Sequence, residues 1–139
     1  MKPFLNATLP LLFAGFLIPA VSFAAITPDL HEIARECERS ARNIKEFAQQ
    51  SKAHNCSGEV FIASSHVHVA AGQIEHQKIH YAQLSLNEAK MELEKVRANP
   101  ERCSYLAPKV APFIGDLVRL KGDLTLIERV ALKNLLIKD

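Results

Sequence analysis

Glycine is scarce in this chain, with five in 139 residues. A loop that cradles phosphate needs several glycines close together, and none are clustered here; HExxH and GxSxG are missing as well. Glu92 and Glu94 flank Leu93, so on a helix they point apart and do not pair as acid and base. These gaps leave no catalytic set and point away from an enzyme. No proline occurs from Glu59 to Val96, so nothing in that stretch forbids a helix. Past the first two dozen residues, no apolar run approaches the roughly 20 residues that span a bilayer.

The opening segment, "MKPFLNATLPLLFAGFLIPAVSFAA", has the three-part layout of a secretory signal peptide. Lys2 precedes an apolar run from Leu9 to Val21, which Pro10 and Pro19 interrupt, and small residues follow. Ser22 and Ala24 suit the −3 and −1 positions, so cleavage is expected after Ala24, with Ala25 as the second choice. No cysteine follows the small residues, which argues against a lipid anchor. Residues 1–24 are therefore set apart as the leader, and 25–139 are expected to form a single helical domain. Removing the leader takes away one of 17 Lys and Arg, Lys2, and none of 15 Asp and Glu, so net charge falls from +2 to +1. That balance gives no support for nucleic-acid binding. Export implies a periplasmic or secreted protein in an oxidising compartment, where its three cysteines are disulfide candidates.

The apolar pattern is helical throughout. Leu30, Ile33, Ala34, Cys37, Ala41, Ile44 and Ala48 share one stripe, with Glu32, Arg35, Arg39, Arg42 and Glu46 opposite. Thr27 can cap this helix, Pro28 suits its first position, and Asp29 suits the positive end of its dipole. Asn55, Ser57 and Gly58 read as its stop. Next, Val60, Ala63, Val67, Ala70 and Ile74 share a face, and Ala82, Leu86, Ala89, Leu93 and Val96 share another. The polar "EHQKIH" between them marks a change of phase, hence two helices with a tight turn near 76–78. "VFIASSHVHV" is rich in β-branched residues, so a strand is the competing interpretation there. Pro100 closes the third helix. Phe113, Leu117, Leu120, Leu124, Ile127 and Ala131 form the stripe of a fourth, with Gly122 as a place where it can bend. The expected fold is an all-α four-helix bundle, with helices near 28–52, 59–75, 79–98 and 112–138.

Within residues 63–96, "IHYAQLSLNEAKMEL" places Ile79, Ala82, Leu86, Ala89 and Leu93 at the apolar positions of a tetratricopeptide-type hairpin, and Ala70 at its small position. The stretch resembles one such repeat. Gln77 stands where that family has glycine, His66 stands at the tryptophan-like position, and no second copy follows. The resemblance implies helix–turn–helix geometry and binding of a protein or peptide.

The cysteines test the hairpin. If 59–96 were one straight helix, its ends would lie about 55 Å apart, and a disulfide needs Cα atoms within about 7 Å. A hairpin brings Cys56 and Cys103 together, so that bond is expected to close its base. Cys37 is left over, either a buried inert thiol or a link between chains.

"SSHVHVAAGQIEHQKIH" holds four of the six histidines, His66, His68, His76 and His80. His76 and His80 are four apart, half of a zinc or copper site on a helix. The hairpin removes His66 from their reach by roughly 15 Å and puts His76 in the turn. Solvated histidines, a weak metal site and a proton-responsive surface all remain open. Arg35, Arg39 and Arg42 form a basic row able to meet anionic lipid or an acidic protein, though Glu32, Glu36, Glu38 and Glu46 dilute it. The last helix, with Lys133 and Lys138 among apolar residues, can complete the bundle, dock on a partner helix or contact a membrane surface. The expectation is thus an exported non-enzymatic module that binds a protein or peptide through a helical groove. A metal- or pH-responsive histidine protein and an anionic-lipid binder are the alternatives.

Overall fold

The computed structural model describes residues 28–137. The expected leader, 1–24, and the cap Thr27 lie outside the described residues. Four helices follow in order: α1 (Leu30–Gln50), α2 (Ser57–Glu75), α3 (Ile79–Ala98) and α4 (Ala111–Leu136). Among the described residues there is no strand. "VFIASSHVHV" lies inside α2, because burying its inner face in the bundle outweighs the modest helix cost of β-branched residues.

The ends of the helices differ from the sequence pattern for local reasons. Asp29, rather than Pro28, sets the start of α1; it is extended and its carboxylate accepts from the His31 amide at 3.1 Å. Ser57 and Gly58 do not stop a helix but begin α2. α1 already ends at Gln50, and Cys56, whose φ of 73° is left-handed, directly precedes α2. Between α2 and α3, Gln77 takes φ 57°. Its amide bonds to the Ile74 carbonyl and that of Lys78 to the Gln73 carbonyl, at 2.9 and 2.8 Å. That is a Schellman turn with glutamine in the position usually given to glycine. Gly122 lies in unbroken helix.

Successive helices run antiparallel, α1 on α2, α2 on α3, α3 on α4, and α4 back on α1. Ile44, Val60, Val67, Ile74, Leu86, Leu93, Leu117, Leu120 and Leu124 fill the centre, fully buried. Each large side chain stabilises by roughly 1.5–3 kcal/mol through its burial. The Cys56–Cys103 disulfide joins the two open ends of the α2–α3 hairpin, with Cα atoms 5.5 Å apart. Beside it, Arg102 donates to Glu59 at 2.7 Å. The turn after α3 buries Cys103, Leu106, Ala107 and Val110 and delivers the chain to α4.

α4 is longer than its neighbours. Gln83 Nε2, one turn into α3, donates to Thr125 Oγ1 at 3.3 Å and Glu128 Oε2 at 3.4 Å. Val130 is still half-buried, and from Ala131 on every described residue of α4 is exposed, because α3 starts only at Ile79 and α1 at Leu30. The expected stripe therefore ends at half-buried Ile127, and Ala131 is exposed. Leu132, Leu135, Leu136 and Ile137 are exposed too, by 56, 66, 79 and 70%.

Candidate binding groove

α2 is apolar on its outer side as well as its inner one. Val60, Ala63, Val67, Ala70, Ala71 and Ile74 face the core, while Phe61, Ile62 and Val69 are 44, 47 and 50% exposed. Gly58, Ser65 and Gly72 recur every seven residues along the same outer ridge. A methyl group added at Gly58 or Gly72 would meet nothing within 4 Å. The bundle itself gives these glycines no steric reason, although glycine costs a helix about 1 kcal/mol relative to alanine.

Beside that ridge, α1 and α2 enclose a groove in two connected parts. The first, about 370 Å³, has Glu38, Ala41, Arg42 and Lys45 on the α1 wall and Phe61, Ser64, Ser65, His68 and Val69 on the α2 wall. The second, about 260 Å³, shares Phe61 and runs on past Ala48, Gln49, Lys52 and Gly58. The α2 wall thus sets Phe61 and Val69 among Ser64, Ser65 and His68, and the α1 side carries Arg42, Lys45 and Lys52 beside one carboxylate, Glu38. Among the described residues, these three cations form no ion pair. In the first part, Ser64 and Ser65 both donate to the Phe61 carbonyl, at 2.7 and 3.3 Å.

The histidines are spread out, not gathered. His68 Nδ1 lies 2.9 Å from Glu38 on α1, and His66 Nδ1 lies 3.1 Å from Glu88 on α3. Two residues apart on a helix is about 200° of rotation, so the pair reaches to opposite flanks of α2. His76 caps the end of α2, and exposed His80 begins α3 with its ring 6.0 Å from that of Tyr81. Among the described residues, no three of His, Cys, Asp and Glu come together as a metal site. The fold therefore does not bring His66, His68, His76 and His80 together as one set. At the disulfide end, His54 stacks on Tyr105 with ring centres 3.7 Å apart, and Lys109 Nζ sits 3.1 Å over the Tyr105 ring. Sequence spacing gave no sign of that stack.

Arg35, Arg39 and Arg42 are all exposed on α1, as the spacing implies. Only Arg42 lines the groove. Cys37 is fully buried. Burial, helped by the charges of Glu36 and Glu38, pushes its thiol up to about 12. The thiol is thus inert and out of reach of another chain. Arg119 donates to Glu36 at 2.7 Å, which holds its guanidinium above the usual value.

Compared with protein-family models, curated proteins and solved structures, the chain matches none.

Proposed function

We propose that the chain is an exported, non-enzymatic interaction module that binds an acidic amphipathic segment of a partner protein in the α1–α2 groove. The observation that carries this is the groove's two-sided chemistry. Phe61 and Val69 offer apolar contact on the α2 side, while on the α1 side Arg42, Lys45 and Lys52, in no ion pair, outnumber Glu38, which His68 neighbours at 2.9 Å. A helix laid on Gly58, Ser65 and Gly72 can approach α2 closely, since nothing stands above the two glycines. Its apolar side chains would then meet Phe61, Ile62 and Val69, and its carboxylates the α1 cations. Two further features support the reading. The α2–α3 hairpin resembles a tetratricopeptide-type repeat, and the leader at 1–24 implies export to the periplasm or medium.

The test compares the wild type with a Phe61→Glu/Val69→Glu variant and an Arg42→Glu/Lys45→Glu variant, each used to recover partners from the exported fraction. Both pairs are exposed, so the fold stands. The proposal expects a saturable partner that both variants lose. A partner kept by both variants, or no saturable partner, rejects the groove.

A further inference from the structure

We infer a second docking site, at the end of the bundle where α4 overhangs, that inserts into an anionic lipid surface as pH falls. Four apolar side chains, Leu132, Leu135, Leu136 and Ile137, stand exposed in the last turns of α4, where every described residue from Ala131 on is exposed. At 100° per residue they cover about 200° of the helix circumference. A partner helix asks for one stripe. A bilayer accepts apolar surface on every side of a helix end, which favours lipid as the occupant.

The chain around the overhang fits the same occupant. The α2–α3 turn and the start of α1 lie together here, where Asp29, His31, Glu75 and Gln77 line one hollow.

The charged groups at this end come from every element. α1 brings Asp29, His31 and Glu32; α2 brings Glu75 and His76; the turn and α3 bring Lys78, His80 and Tyr81; α4 brings Glu128, Arg129 and Lys133. With neutral imidazoles, three cations stand against four carboxylates. His31, His76 and His80 are all exposed, and protonating them turns the end basic around the apolar tip. Histidine is the side chain that makes this change between about pH 5 and 8. The site is separate from the α1–α2 groove, which lies along the bundle's side.

The test floats the protein purified from the exported fraction with vesicles of neutral lipid, or with about 30% anionic lipid. It is run near pH 7.5 and near pH 5.5. The site predicts retention on anionic vesicles, about tenfold stronger at the lower pH. Leu136→Glu/Ile137→Glu should lose it without unfolding, as both residues are exposed. His31→Gln/His76→Gln/His80→Gln should remove the pH difference. No flotation, equal flotation of the Leu136/Ile137 variant, or a pH difference that survives the histidine changes overturns the inference. So does a sedimentation dimer that the Leu136/Ile137 variant dissociates, since a second copy would then cover the tip.

Discussion

Replacing both bonded cysteines, Cys56→Ala with Cys103→Ala, removes the one covalent closure of the α2–α3 hairpin. The half-cystines are 47 residues apart in sequence. In the chain-entropy account, a loop of that length restricts the unfolded chain by roughly 4 kcal/mol. The Arg102–Glu59 pair beside it adds little, because exposed pairs contribute at most about 1 kcal/mol. Unfolding entropy for a domain of this size gives a fall of about 4 °C per kcal/mol, hence about 16 °C in Tm. Thermal and urea unfolding of the double variant, against the oxidised wild type, measure it. A second variant isolates the backbone. Cys56 sits at φ 73°, where a Cβ costs roughly 1–2 kcal/mol and glycine costs none. Cys56→Gly/Cys103→Ala should therefore be more stable than the alanine pair by about 0.5–1 kcal/mol, after the greater unfolded-state freedom of glycine. A loss below about 1 kcal/mol for the alanine pair would refute the loop-entropy argument.

Cys37 gives a pH dependence of definite sign. Its folded value, about 12, lies above the ordinary thiol value of 9.0. Its contribution is complete below pH 9 and is lost as pH rises from 9 toward 12, by about 1.4 kcal/mol per unit. Urea unfolding across that window should show a slope that Cys37→Ala lacks. Leu120→Ala, in the core, should cost about 2–5 kcal/mol. Leu136→Ala, on the overhang, should change stability by less than about 0.5 kcal/mol. Gly72→Ala should raise stability by up to about 1 kcal/mol and yet weaken partner binding, since its methyl group would enter the space above α2; calorimetry and a binding titration measure the two effects.

The inner faces were legible because burial writes a periodic stripe. Val60 to Ile74 and Ala82 to Val96 are buried as their spacing implies, and the same phase change located the turn and the disulfide. The fourth stripe misled at Ala131, because periodicity records what a helix can bury and not where its neighbours end. Helix starts were less legible: several residues near 27–29 and 55–58 can cap or break, and tertiary position chooses among them. Of the groove, sequence singled out only Arg42 and His68. Phe61, Ile62 and Val69 fall outside the inner stripe of α2, and that excess of apolar residues was the available signal. Its α1 wall depends on which flank of α2 meets which neighbour, which spacing does not encode. The histidines are separated as the hairpin implies: His66 and His68 turn to opposite flanks of α2, and His76 lies in the turn.

The central claim is that the outer ridge of α2 receives an acidic helical segment. Placing a photo-crosslinking residue at Ser65, and a control at exposed Asp116 on α4, tests it in the producing cells. The account predicts one discrete adduct from position 65, through an amphipathic, acidic peptide, that the Arg42→Glu/Lys45→Glu change abolishes, and no such adduct from position 116. No adduct at 65, or one shared with 116 and indifferent to those charges, would contradict it.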